Sequence, residues 1–581
     1  MLKRTLVIEL AVGKMTVFFP LIKEIKFWLA KYRDSNKYSE YENLISQWRP
    51  LLQGKNHRIE EGYGQNILFI TGYGLGAHYY TLEPILMQAL KQRGAKVSSL
   101  ICGQSLPACE FNTNGNNEPR VRFQQRNGLL KSTITSRCNL CNGNSREVLR
   151  ELDIDIVTIG NYLSQDDYIV AKNLVKHVDL KNFRNFEFDD IAVGEEAFAS
   201  ILRATFKGEV GESKSEDYLK KRYLIAGILT SKAYFRAFSK LKPKKIICIH
   251  GVYQIHGLAV KVAKKLGIPI DVIGSGGIRK NTIIACHGQT YHHQLINEDN
   301  AIWSEARLTE SQVLKTLKYA KDKRNSGSGV DYTSYHPNPI EDSSALLSAL
   351  NISKEDTIIA AYTNVIWDAQ VVYSSNVFND IFDWLWTTID TIATNKKIIL
   401  VIRIHPAETK GGVPTRQPML AEIQKRYPTL PENVKIIPPS SDLSSYTLAS
   451  MAKANIIYGT KMGLEIALMK SPLIIAGETF SRNKGYGYDV TSKKKYIEIL
   501  KDLNAFVGNI NIEKCYDKAL KYAHYFYFRR MLDLPLKDEN LNFKKTTKLN
   551  FSELNSLDPG NSEALDTICN GILKNTEFYL K

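Results

Sequence analysis

Twice along this chain, short aliphatic runs alternate with stretches of helical period, and that alternation constrains the fold more than any other feature. The first series is "NILFIT" (66–71), "KVSSLI" (96–101), "DIDIVTI" (153–159), "KKIICIH" (244–250) and "IPIDVI" (268–273). The second is "DTIIAAYT" (356–363), "KKIILVIRI" (396–404), "NVKII" (433–437), "NIIYG" (455–459) and "PLIIAG" (472–477). Strands separated by helices pair in parallel, and a parallel sheet must be covered on both faces. A chain of 581 residues also exceeds what one core organises. The expectation is an α/β protein with two Rossmann-like domains facing a cleft. A helical segment occupies 1–60, the first α/β domain 61–302, a linker 303–345 with "RNSGSGVDYTSYHPNP", and the second α/β domain 346–505. A helical C-terminal extension, 506–581, carries the aromatic-rich "KYAHYFYFRRML".

The composition, 44% apolar and 24% charged, excludes a wholly disordered chain, and a net charge of +17 points to anionic partners. Nucleic acid, a phospholipid surface and phosphate-bearing substrates all satisfy that charge. No stretch reaches the roughly eighteen uncharged apolar residues of a membrane span. The apolar amino terminus is interrupted by Glu9, Lys14, Lys23, Glu24 and Lys26 and lacks a small-residue cleavage site, which predicts a cytoplasmic chain. Phe18 to Arg33 mixes aromatic and aliphatic residues with lysines. It suits either a helix on the anionic inner face of a membrane or one packed on the domain behind it.

Within "LVIRIHPAET" (400–409) an aliphatic strand carries Arg403 and ends on His405-Pro406, with Glu408 two places on. A buried arginine asks for an anion to meet it, and proline cannot continue a ladder. The stretch reads as a strand delivering side chains to a site at its carboxyl end. In "YGTKMGLEIALMKSPLIIAG" (458–477) a strand, a turn, a helix and a strand follow one another. Gly459 and Thr460 are expected at the helix amino terminus, where free amides and the dipole attract phosphate. Gly463 is counted with the donor-binding residues, and Glu465 is placed to accept hydrogen bonds from ribose hydroxyls. Together these residues predict a nucleotide subsite.

"RIHPAE", "SSYTLASMAKANIIYGTKMGLEIALMKSPLIIAG" (444–477), "TNVIWDA" (363–369) and "GETFSRNKGYGYDV" (477–490) resemble the nucleotide-sugar domain of bacterial capsule and surface-polysaccharide glycosyltransferases of the GT-B type. The His-Pro dipeptide also resembles the donor site of enzymes using cytidine-monophosphate sugars, but Gly459-Thr460-Lys461 stands where those show paired hydroxyl residues. The resemblance implies a nucleotide-sugar donor in the second domain and a glycan or lipid-linked acceptor in the first. It places Asn364, Trp367 and Asp368 beside the donor sugar, with Asp368 a catalytic candidate, and closes the loop carrying Tyr486 over the donor.

In the first domain, "ITGYGLGAHYYT" (70–81) sets Gly72, Gly74 and Gly76 in the turn after the first strand, with His78 and Glu83 beyond it as candidate bases. The acid that a dinucleotide fingerprint needs about twenty residues later is missing, so no dinucleotide cofactor is expected. "IHGVYQIHG" (249–257) and "GSGGIRKNTIIACHGQTYHH" (274–293) add His250, His256, Arg279, His292 and His293 to the cleft; the histidines lack metal-ligand spacing. "ICGQSLPACE" and "SRCNLCNG" supply Cys102, Cys109, Cys138 and Cys141, either as four ligands of one structural zinc or as inert thiols. Two rival readings remain: an epimerase or hydrolase acting on the same donor, and a non-enzymatic basic protein that binds RNA or membrane. No specific nucleic-acid partner is expected, because the lysines are scattered and basic-aromatic RNA motifs are lacking.

Overall fold

The computed structural model describes residues 45–52, 64–75, 81–111, 124–126, 129–131, 136–274, 279–324, 339–368, 377–410, 414–541 and 544–581. The Phe18–Arg33 segment, Gly76 and His78 lie outside the described residues.

The first series of aliphatic runs forms β1 (Asn66–Ile70), β2 (Lys96–Ile101), β5 (Asp155–Thr158), β6 (Lys245–Ile249) and β7 (Ile270–Gly274). A short hairpin, β3 (Gln124–Arg126) and β4 (Leu129–Lys131), is inserted between β2 and β5, and β8 (Thr282–His287) follows β7. The sheet order is β5-β2-β1-β6-β7-β8, parallel as far as β7, with β8 antiparallel. Every residue of β6 and β7 is buried, as expected of central strands covered on both sides. Six helices of this half matter below: α1 (Leu82–Gln92), α2 (Ser136–Glu151), α3 (Val193–Thr205), α4 (Lys214–Leu241), α5 (Tyr291–Asn297) and α6 (Glu310–Arg324).

The second series forms β9 (Thr357–Tyr362), β10 (Ile398–Arg403), β11 (Val434–Ile437), β12 (Ala454–Ile457), β13 (Leu473–Ile475) and β14 (Tyr488–Asp489). All six pair in parallel in the order β11-β10-β9-β12-β13-β14. Helix α7 (Gly463–Leu468) connects β12 to β13, and α8 (Ile512–Tyr525) follows the sheet. The fold is thus α/β with two Rossmann-like sheets.

Two stretches differ from their sequence reading. The segment after 506 is helical only in part: it also carries β15 (Leu532–Asp533) and the antiparallel pair β16 (Leu536–Leu541) and β17 (Lys544–Leu549) before α9 (Glu563–Lys574). β15 extends the first sheet by pairing with β8, and Leu565, Ile568 and Ile572 of α9 enter the first core. Arg93 ties that end down, bonding Asp566 at 2.5 Å and the Leu557 carbonyl at 2.8 Å. The helical part of 303–345 is packed rather than extended. Thr316 of α6 meets His524 of α8 at 3.1 Å, and Lys323 pairs with Glu465.

Candidate functional site

Each sheet has one point where the chain order reverses, between β1 and β6 in the first and between β9 and β12 in the second. In open α/β sheets ligands bind outside the carboxyl ends of the strands at such points. The crevice of the second sheet holds much of what the sequence predicted. Asn364, just beyond β9, accepts the Gly459 N–H at 3.1 Å, linking the two diverging strand ends. The Gly459 amide is therefore engaged by protein. Helix α7 begins at Gly463, so Gly459 and Thr460 precede it rather than opening it; Thr460 Oγ1 accepts from Met462 N at 3.5 Å. A Cβ on Gly463 would lie 2.6 Å from Ser481 Oγ and Ile457 Cδ1, so this glycine serves close packing. Glu465, in the first turn of α7, is buried against Lys323, with Tyr446 Oη 3.5 Å away.

Arg403 is 2% exposed at the end of β10, where carbonyl oxygens bond it and the charge of Asp442 acts on it. It donates to Pro438 O at 2.6 Å, Ser441 O at 3.2 Å and Ser445 Oγ at 3.2 Å. Burial lowers its pKa to about 10. Arg403 thereby staples the loop after β11 to the strand end. His405 donates its backbone N–H to Thr363 Oγ1 at 3.0 Å, and its Nδ1 accepts from Ala407 N at 3.1 Å. That acceptance puts the proton of a neutral imidazole on Nε2. Pro406 accepts backbone N–H bonds from Thr409 and Lys410, and Glu408 accepts from Met419 N at 3.1 Å. Desolvation raises the Glu408 carboxyl to about 7, and its Oε1 has no hydrogen-bond partner.

The carboxyl ends of the two sheets meet. Arg203 of α3 lies 4.6 Å over the Trp367 ring, Phe206 packs edge-on to that ring at 5.1 Å, and Trp367 Nε1 donates to Thr415 Oγ1 at 3.1 Å. Arg416 N donates to Phe206 O at 2.9 Å, and Gly208 N to the Gln417 side chain at 3.0 Å. Trp367, expected beside the donor sugar, thus also joins the domains. Beyond β6 the backbone turns sharply: His250, Gly251 and Tyr253 have φ of +63, +66 and +66°. Such values are rare for a residue as bulky as tyrosine and mark a backbone held in place by its surroundings. His250 Nδ1 sits 3.4 Å from Tyr291 Oη, and its ring stacks on His292 with centroids 6.0 Å apart.

Burial pushes the His250 pKa down to about 4, helped by the charges of Arg203 from the first sheet and Lys461 from the second. His292 is lowered by burial and by His250 and Lys461, and the Tyr291 hydroxyl is raised by burial and by Asp368. Two cations from opposite domains therefore flank imidazoles that are uncharged at neutral pH. That arrangement favours an anion between them.

At the first crevice, Tyr73 donates its hydroxyl to Glu110 and lies 3.3 Å from His256 Nδ1; His256 Nε2 lies 3.1 Å from Ile70 O. Gly72 permits this, since a Cβ there would stand 2.9 Å from His256 Nε2. Gly74 serves a different approach, its Cβ position falling 2.4 Å from the Cys141 carbonyl of α2. Glu83 lies inward on α1, 2% exposed, beside a cavity of ≈ 10 Å³ between α1 and α2, too small for a sugar. Burial lifts its pKa to about 8, so near neutrality it is largely an acid rather than a base.

Three expectations need correction. Tyr486 is 1% exposed and stacks on Tyr522 of α8 within the core, so it does not close over a cleft. Arg279 is turned to the C-terminal strand, donating to Asp533 at 2.6 Å and to Met531 O at 2.8 Å. Cys138 and Cys141 stand on helix α2 instead of in a knuckle turn. Among the described residues no three His, Cys, Asp or Glu side chains gather as a metal site, and Cys141 Sγ accepts the Gly74 N–H at 3.2 Å. Burial raises the Cys102 thiol to about 11 and Cys109 further, and the charges of Cys102, Cys138 and Cys141 all act on Cys109. Sequence reasoning missed Arg203, Lys461, Tyr291, Tyr73 and Glu110. Of these, only Arg203 stood outside every noticed motif; Tyr73 lies in the glycine turn, Glu110 closes the Cys102–Cys109 stretch, Lys461 follows Gly459-Thr460 and Tyr291 precedes the His pair.

No protein-family model and no curated protein matches this chain. Among solved structures, the Thermosulfurimonas dismutans KpsC β-Kdo 2,4 transferase aligns at 12% identity over 54% of this chain and 87% of its own, with a TM-score of 0.31. The UDP-GlcNAc 2-epimerase from Neisseria meningitidis bound to UDP-GlcNAc aligns at 11% identity over 78% and 97%, with a TM-score of 0.23. The spinosyn rhamnosyltransferase SpnG complexed with spinosyn aglycone aligns at 8% identity over 79% and 96%, with a TM-score of 0.24.

Proposed function

We propose that this protein is a glycosyltransferase that moves a sugar from a nucleotide-sugar donor to a glycan or lipid-linked acceptor in capsule or surface-polysaccharide synthesis. The observation that carries the reading is the meeting of Arg203 and Lys461 around His250, where two sheets present their carboxyl ends to each other. In this reading the donor's phosphate lies between those cations, with His405 Nε2 adding a donor. Charge developing on the leaving phosphate is stabilised by groups already in place, which need not reorganise during the step. Glu465, fixed by Lys323, meets the ribose. Asp368, close enough to Tyr291 for their charges to interact, borders the sugar.

The first-sheet crevice takes the acceptor, and docking of α3 onto Trp367 and residues 415–417 excludes water from the donor. The test is nucleotide release from a panel of nucleotide-sugars, with and without lipid-linked or glycan acceptors. Release that requires an acceptor and yields a longer glycan supports the proposal. Conversion of the donor sugar without any acceptor favours the epimerase or hydrolase reading, and inertness toward every donor removes the enzyme reading.

A further inference from the structure

Behind the glycine turn that follows β1, two buried oxygens border one small cavity, and neither has a hydrogen-bond donor. They are Glu83 Oε2 of α1 and Asn144 Oδ1 of α2, on residues 2% and 0% exposed. Both residues line the ≈ 10 Å³ cavity between those helices, with Thr71, Gly74 and Ser145 as its other polar neighbours. A space of that size holds one water-sized occupant.

The hydrogen bonds around the cavity run in fixed directions. Asn144 Nδ2 donates to Gly74 O at 3.2 Å, which settles the amide's orientation and leaves Oδ1 as an acceptor. Ser99 Oγ donates to Thr71 Oγ1 at 2.6 Å, and Thr71 in turn donates to Glu83. Ser145 Oγ donates to Cys141 O at 3.0 Å. The hydroxyl protons of Thr71 and Ser145 are therefore engaged by protein, and Glu83 and Asn144 bring acceptor oxygens to the cavity. Buried acceptors left without a donor are costly.

A water donating to both oxygens satisfies their hydrogen bonds but leaves the carboxylate's charge unanswered. Among the described residues no lysine, arginine or histidine pairs with Glu83, and the rest of the cavity wall is apolar, including Met87 and Val148. A buried carboxylate calls for a positive partner. One negative charge matches one positive charge, and so few oxygens in so small a space do not meet the six or more that Ca²⁺ or Mg²⁺ requires.

We propose that this cavity binds a small monovalent cation of the sodium class between Glu83 Oε2 and Asn144 Oδ1. The cation joins α1 to α2 beneath the turn carrying Gly72, Tyr73 and Gly74, and so braces the first crevice. The site is independent of the transferase reading.

The test measures the melting temperature of the full-length protein in sodium, potassium, caesium and choline chlorides at equal ionic strength, for wild type and Glu83→Gln. The series is run above the value of about 8 to which burial lifts Glu83, so that proton and cation do not compete. Sodium is expected to raise the wild-type melting temperature by about 2 °C or more over choline, potassium by less and caesium not at all. Glu83→Gln keeps the shape, removes the charge and should melt alike in all four salts. Equal melting temperatures of the wild type in every chloride assign the cavity to water alone and overturn the proposal. A rise of the same size in Glu83→Gln, or one that caesium matches, marks a cation bound elsewhere and overturns it as well. Should Glu83→Gln fail to fold, the size order of the wild type decides by itself.

Discussion

The two crevices share a topology yet are furnished differently. In the second sheet the strand ends are tied to one another by backbone groups: Asn364 to the Gly459 amide, Arg403 to the carbonyls of Pro438 and Ser441, His405 to Ala407. In the first sheet the equivalent position holds Tyr73, Glu110, His250 and His256, whose hydrogen-bond partners include other side chains. A rigid frame suits a ligand that must be held by fixed charges, whereas a titratable cluster suits proton movement. The comparison teaches that the residues with the most conspicuous sequence context build a frame of backbone contacts, whereas the opposite crevice joins side chain to side chain.

The largest effect expected from breaking the comparison is at Arg403. Truncating it leaves two buried carbonyls and Ser445 without their donor, so Arg403→Ala should destabilise the protein by about 3 kcal/mol, read as a fall in the denaturant midpoint. A smaller, site-specific effect belongs to the facing cations. Arg203→Ala and Lys461→Ala should each weaken nucleotide binding by about tenfold, roughly 1.4 kcal/mol, with little change in ligand-free melting temperature. Equal loss from both would show that the domains share one anion.

The third prediction concerns pH. Because the folded value for His250, about 4, lies below the ordinary 6.5, the unfolded chain binds a proton between those values that the folded chain refuses. Stability should therefore fall as pH drops from 6.5 toward 4, and His250→Asn should lessen that fall in a melting-temperature series. The smallest effect is expected at Arg279, whose partner Asp533 is largely exposed. Arg279→Ala should cost no more than about 1 kcal/mol and leave nucleotide binding untouched by titration calorimetry.

These contrasts also explain what could be read from the chain. Both sheets were legible because strand-forming runs such as "KIICI" and "IILVIR" carry their own signal, and the positions of Asn364 just beyond β9 and His250 just beyond β6 followed from those runs. Arg403 misled because an arginine in a strand seemed to demand a ligand anion, whereas the protein's own carbonyls bond it and its own Asp442 supplies a negative charge. Tyr486, which the resemblance placed over the donor, and Arg279, expected in the cleft, misled because each side chain is held by the C-terminal segment far away in sequence. Arg203 was invisible because a lone arginine on an amphipathic helix resembles any solvated one. Glu110 was masked by its neighbour Cys109, which drew attention to metal binding.

The central claim is that the two crevices form one nucleotide-sugar site. Its most direct test is the melting temperature of the full-length protein against CMP, UDP, GDP, ADP and dTDP and their sugar conjugates, repeated with Lys461→Ala and Arg203→Ala. A ligand that binds only the folded state raises the melting temperature. The account predicts that one nucleotide raises it selectively and that either substitution sharply reduces the shift. A folded protein that responds to none of them, or a shift untouched by both substitutions, would contradict it.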